Sequence, residues 1–347
     1  MSDVLALGLD TFGDVTVDFE GQPVPYPQVI RDLLEQAVLA DEVGVDAIGI
    51  GEHHRPDFAV SAPEVVLAGI ATRTQRILLG SAVTVLSSDD PIRVFQRFAT
   101  VDALSHGRAE VTLGRGSFIE SFPLFGFDLG QYEELFSEKL DLFAALLDEQ
   151  PVVWEGRLRP PLEGQRVFPT TEGGLSVWIG VGGSQESVVR AARYNIPLVL
   201  AIIGGPADRF APFVDLYHRA LDELGHAHLP VAVHSPGFVA DSDEEARELA
   251  WPHYRAMHDR IGRERGWGPT TRGQFDLQAG PQGALYVGSP ESVARKIVAT
   301  TRQLGLARFD LKYSMGTLPH PLLMRCIELY GTKVIPLVRD MLSESAG

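Results

Sequence analysis

The chain has 347 residues, one cysteine and a formal net charge of −16, from 30 Lys and Arg against 46 Asp and Glu. A chain this long buries about three quarters of the surface it exposes when unfolded, and with Cys326 alone it has no disulfide framework, so the cytoplasm is the expected compartment. The acidic balance argues against nucleic acid or an anionic membrane as partner, Met1–Asp10 carries no basic, apolar leader, and no run of about 18 apolar residues is present to span a bilayer.

From the N-terminus, Val4–Asp10 is apolar and predicts a first strand. Residues 27–43 are apolar at helical spacing, open on Pro27 and stop at Gly44. Ala47–His53 predicts strand two, and Ser61 with Pro63 and Glu64 opens the next helix. Ile77–Leu86 predicts strand three, Asp90-Pro91 starts a helix to Ser105, and Ala109–Gly114 predicts strand four. Gln131–Glu149 is amphipathic; residues 151–175, rich in Pro and Gly, break the rhythm as an inserted hairpin or extended loop. Strands then follow at Ser176–Val181, Pro197–Ile203, Val231–Ala240 and Arg308–Ser314. Their helices are Ser184–Tyr194, Asp208–Leu224, Asp243–Arg265 and the one opened by Ser289-Pro290-Glu291; Pro321–Leu342 closes the chain.

Eight strand–helix units in series predict an α/β fold, a single (β/α)8 TIM barrel over residues 1–347, with insertions near 117–130, 151–175 and 266–288 at the C-terminal face. An open doubly wound sheet is the competing fold. It would carry a phosphate loop after strand one, and Asp10-Thr11-Phe12-Gly13 has no such form.

Three motifs fall at strand ends, where barrel active sites lie. Glu52-His53-His54 closes strand two. Neighbouring residues on a strand face opposite ways, so the two histidines do not share an ion and no metal site is expected. One inward imidazole, His53, instead suits proton transfer near neutral pH. Gly114-Arg115-Gly116-Ser117 closes strand four and sets a permanent cation between two glycines; the competing reading is a plain turn. Gly180-Val181-Gly182-Gly183-Ser184-Gln185-Glu186-Ser187 runs from strand through glycine turn to helix N-terminus, an anion site by geometry. Ser184 and Ser187 serve there either as hydroxyl donors or as caps. Phe12, Phe58, Trp178 and Tyr313 near strand ends suit an organic ligand or plain packing.

The chain resembles the bacterial luciferase-like flavin monooxygenases over nearly its whole length. The resemblance is carried by residues 49–54, by 80–86 with Asp90-Pro91, by Gly114-Arg115-Gly116 with Phe125-Gly126, and by Gly180–Ser187. Residues 289–294 and 327–332 resemble later elements of the same family. The resemblance implies FMN in its reduced form as co-substrate, O₂, a small organic substrate, a separate flavin reductase and a homodimer packed through the helices near 62–73 and 91–105. It implies His53 in proton transfer; Arg115, Ser184 and Ser187 on the flavin phosphate, with Gly116, Gly182 and Gly183 contributing backbone; and a non-proline cis bond at Ala82–Val83 beneath the flavin. Gly114 stands where luciferase has a cysteine near the ring, which implies more room there. A deazaflavin cofactor serving a dehydrogenase of the same fold, a flavin-binding protein without turnover, and a non-flavin barrel for a phosphorylated metabolite are the alternatives.

Overall fold

The computed structural model describes residues 4–344; residues 1–3, at the start of the Met1–Asp10 stretch, and the ends of the expected 1–347 domain lie outside the described residues. The first half contains β1 (Ala6–Thr11), α1 (Tyr26–Glu42), β2 (Ala47–Ile50), α2 (Pro63–Ala71), β3 (Leu78–Ser81), β4 (Thr84–Val85), α3 (Pro91–Ser105), β5 (Glu110–Gly114), α4 (Ser121–Phe125), α5 (Tyr132–Leu146), and the hairpin β6 (Val152–Trp154) and β7 (Leu162–Gln165). The second contains β8 (Ser176–Val181), α6 (Gln185–Arg193), β9 (Leu198–Ala201), α7 (Ala211–Glu223), β10 (Val231–Val239), α8 (Asp243–Arg265), α9 (Arg272–Ala279), β11 (Tyr286–Gly288), α10 (Pro290–Leu304), β12 (Arg308–Lys312), α11 (His320–Leu329) and α12 (Ile335–Ser343).

The main sheet runs β3-β2-β1-β12-β10-β9-β8-β5-β4, every pair parallel, with β11 added to β10. Leu79 and Ala109 form a parallel bridge and the Leu79 N–H donates to Arg108 O at 2.9 Å, so β3 meets β5 and the sheet closes. Ser81 seals the seam: its Oγ accepts from Thr112 N at 3.2 Å and donates to Thr112 O at 3.1 Å. The predicted barrel is therefore present. The expected strand 77–86 is broken into β3 and β4 around Ala82–Val83, whose peptide bond is cis.

Strand two ends at Ile50, short of the expected His53. It pairs with β3 only as far as Ile50 opposite Ser81, and residues 51–54 then leave the sheet. Position 117–130 holds α4, and 266–288 holds α9 and β11; Thr271 and Gln274 cap α9 reciprocally.

Both faces of this parallel sheet are covered, and the inner one is partly ionic. Arg308, Asp310 and Lys312 alternate along β12 and are all buried. Arg308 pairs with Glu110, and its Nε donates to Asp310 Oδ1 at 2.8 Å. Gly8 makes this possible, because a Cβ there would fall on the Asp310 carboxylate. Burial pushes the Asp310 carboxyl up to about 6 against the opposing pull of Arg308.

Candidate active site

The strands are parallel, so their C-terminal ends share one mouth, and the singled-out residues fall there in two groups. The first surrounds Ala82–Val83, both half-buried. A Cβ at Gly49 would lie 2.9 Å from Ala82 Cβ, and one at Gly51 would lie 2.9 Å from Ala82 O. A Cβ at Gly180 would lie 3.0 Å from Val83 Cγ1, and one at Gly114 would collide with Val83 Cγ2. Four glycines thus make the cradle in which this turn sits. The expected extra room at Gly114 is absent for the same reason: the Val83 side chain fills it.

Glu52 fixes the cradle from below, its Oε2 accepting from Val85 N at 2.8 Å and its Oε1 lying 2.9 Å from His54 Nε2. The two histidines diverge, as expected, although they lie beyond the strand. His54 is tied to Glu52 and meets Phe125 edge-on at 5.0 Å. His53 enters a box of rings, with centroids of Phe58 at 4.4 Å, Phe12 at 4.7 Å and Phe118 at 5.1 Å. Its Nε2 is buried with no hydrogen-bond partner among the described residues. Burial, then the nearby charges of Lys312, Arg55 and His54, push its pKa down to about 3. The expectation of titration near neutral pH therefore does not hold in the free chain; the imidazole is neutral. Phe118 roofs the box, its ring 4.4 Å from the guanidinium carbon of Arg55, which also pairs with Glu120 and, at 2.7 Å, with Glu264.

Beneath the box lie residues that sequence reasoning missed. His234 Nδ1 is 2.6 Å from Asp10 Oδ2, and the imidazole stacks on Phe12. Lys312 Nζ donates to Asp14 Oδ2 at 3.0 Å and stands 4.5 Å from the Phe12 ring centroid. Of the other aromatic candidates, Tyr313 is fully buried with its hydroxyl on Gln36, and Trp178 lies under Arg308; both are packing.

The second group lies around the N-terminus of α6, where the sequence predicts an anion site. Ser184 caps α6, its Oγ accepting from Ser187 N at 3.3 Å and donating to Glu186 Oε2 at 2.7 Å. Ser187 itself is buried. Gly182 and Gly183 are exposed, with open space where a Cβ would stand, and Gly183 has φ +114°. Gly116, at φ +80°, passes close to Val85, and its carbonyl accepts from the Tyr132 hydroxyl at 2.8 Å. Arg115 does not touch Ser184 or Ser187. It turns to α5, over the Tyr132 ring, and pairs with Glu133. The other oxygen of Glu133 takes Arg190 Nη2 of α6 at 3.1 Å, and Arg190 Nη1 is buried with no partner among the described residues. A surface hollow of about 440 Å³ opens beside these groups, lined by Ser137, Gln185, Glu186 and Arg190.

The site fits a phosphorylated, planar cofactor: two arginines and a helix N-terminus stand at one end, a glycine-lined floor and a neutral imidazole at the other. Among the described residues no group of three or more His, Cys, Asp and Glu is placed to hold a metal ion, and no helix is long and apolar enough to cross a membrane.

A family model described as luciferase-like monooxygenase matches residues 11–308. The 4-hydroxyprotoasukamycin monooxygenase of Streptomyces nodosus subsp. asukaensis is 34% identical over 248 residues, 65% of this chain and 64% of the relative. The alkanal monooxygenase alpha chain of Photorhabdus luminescens is 24% identical over 218 residues, 62% of this chain and 59% of the relative. The chain thus spans about three fifths of the length of these curated relatives. Among solved structures, a monooxygenase from Streptomyces bottropensis superposes with TM-score 0.82 at 22% identity, over 96% of this chain and 99% of that one. The oxygenating constituent of 3,6-diketocamphane monooxygenase from Pseudomonas putida, in complex with FMN, gives 0.75 at 20% identity over 96% and 98%. An F420-dependent secondary alcohol dehydrogenase gives 0.74 at 16% identity over 97% and 99%.

Proposed function

The chain belongs to the luciferase-like monooxygenase family, and from that premise we propose that it is an FMN-dependent monooxygenase acting on a small organic substrate. The observation that carries the reading is the pairing, at one barrel mouth, of an anion seat at Arg115 and the α6 N-terminus with the glycine cradle around Ala82–Val83. Arg115, Ser184, Ser187 and the backbone of Gly116, Gly182 and Gly183 would hold the phosphate. Ala82, Val83 and Gly114 would form the floor beneath the ring. When bound, reduced FMN supplies the reducing equivalents and activates O₂. A separate reductase would deliver it, since the family resemblance implies a two-component system.

His53 holds a neutral imidazole against three rings, with Nε2 free for a hydrogen bond to the reacting groups. Phe118, held by Arg55, excludes water from the same spot. The rings of Phe12, Phe58 and Phe118 favour an apolar organic substrate. Riboflavin lacks the phosphate and should bind much more weakly than FMN; equal affinities in a flavin fluorescence titration would refute the phosphate assignment. A deazaflavin is the second reading, favoured by the likeness to the F420-dependent dehydrogenase. Reconstitution with each cofactor, followed by oxygen uptake, separates the two.

A further inference from the structure

Resting on that reading, we propose that Arg115 and Arg190 together form the phosphate seat, and that the carboxylate of Glu133 occupies it in the free chain and leaves when the cofactor phosphate arrives. Each oxygen of Glu133 is taken by a different guanidinium: Oε1 by Arg115 Nη1 and Oε2 by Arg190 Nη2. An anion bridging two planar forks marks the place where a phosphate, with more oxygens and more charge, binds better than a carboxylate. Arg190 also keeps one donor unused, since its buried Nη1 has no partner among the described residues.

The cations are built in and the acid is detachable. The Arg190 side chain is 14% exposed and lies over Phe136; that of Arg115 is 26% exposed and lies over Tyr132. The Glu133 side chain is 57% exposed, in the first turn of α5. It can swing outward without unpacking anything, and it keeps the favourable end of its helix dipole when it does. It has to move, because a carboxylate beside a phosphate dianion is repelled at contact distance. Glu186 repeats the arrangement at lower cost, holding through the Ser184 hydroxyl a donor that a phosphate would take.

The test is a set of fluorescence titrations of the full chain with FMN and with riboflavin, and competition by inorganic phosphate. Glu133→Gln should bind FMN and phosphate roughly three- to tenfold more tightly, the scale of two partly exposed ion pairs, and leave riboflavin affinity unchanged. Arg190→Gln and Arg115→Gln should each weaken FMN roughly tenfold, again sparing riboflavin. Glu134→Gln removes the same charge one residue along, from a carboxylate whose partner is Arg157, and should do little. If Glu133→Gln leaves FMN affinity unchanged or lowers it, or if Glu134→Gln tightens FMN equally, the displacement is refuted. If Arg190→Gln alone is silent, the second arginine is refuted. If Arg115→Gln is silent as well, it is the phosphate assignment of the preceding section that fails.

Discussion

His53→Gln should make the protein less sensitive to acid, by an amount the structure sets. An imidazole in the unfolded chain takes its proton near pH 6.5, whereas burial beside Lys312, Arg55 and His54 pushes His53 in the folded chain down to about 3. Above 6.5 both states carry the neutral ring and the full contribution to stability is present. As the pH falls below 6.5 the unfolded chain gains a proton that the folded chain refuses, so stability drops by about 1.4 kcal/mol per pH unit until about pH 3. Between pH 7 and pH 5 the loss through this one group is about 2 kcal/mol. Every other acid-sensitive group is common to wild type and variant, so the difference between their losses isolates His53. Urea unfolding of both proteins at pH 7 and pH 5, at matched ionic strength, measures it. Equal losses in the two proteins would refute the neutral buried imidazole. The chemistry follows from the same figure. Charging His53 at pH 7 costs about 5 kcal/mol in the free chain, so its contribution to turnover comes from a neutral ring that gives and accepts hydrogen bonds. The variant should lose about 10²–10³-fold in turnover, the cost of removing one positioned hydrogen-bonding group, with FMN affinity kept, and the wild-type rate profile should show no limb near pH 6.5 from this residue.

Gly114→Ala should destabilise the protein by about 1–3 kcal/mol, the usual cost of overpacking, because the new Cβ meets the Val83 side chain; adding Val83→Ala should restore most of the melting temperature, and failure of that rescue would place the cost elsewhere. We also propose a homodimer through α2 and α3, where Val65 is 67% exposed; sedimentation at micromolar concentration showing only a species near 37.8 kDa would exclude a stable one.

The barrel was legible because its signal is local and repeated. Apolar β-branched runs, each followed by a helix, recur along the chain; caps at Asp90, Ser184 and Ser289 stand where their helices begin, while the helix after strand two has Ala62 at its N-cap position and lacks the expected Ser61 cap. Strand ends were less legible, because they depend on partners. Residues 47–53 read as one strand, but β3 offers pairing only up to Ser81, and so His53 lies in the segment that follows. The glycines around Val83 were visible as motifs. That they converge on the single turn Ala82–Val83 was not, since they come from three different strands and a loop.

The ionic interior had a signal that can be used in future. Arg308, Asp310 and Lys312 stand at period two within a strand that reads clearly as one. In an antiparallel sheet such alternation marks the solvent face. In a closed parallel barrel the outer face is covered by helices, so a polar face can only point inward, and buried charges must then find partners from other strands. Glu110 on β5 meets that requirement for Arg308, Asp14 in the loop after β1 meets it for Lys312, and Asp10 on β1 pairs with His234 on β10. Phe12 connects this interior to the site above it, standing over Lys312, stacked on His234 and edge-on to His53. The low proton affinity of His53 thus depends in part on a lysine 259 positions away in sequence, which no local motif around Glu52-His53-His54 could have disclosed.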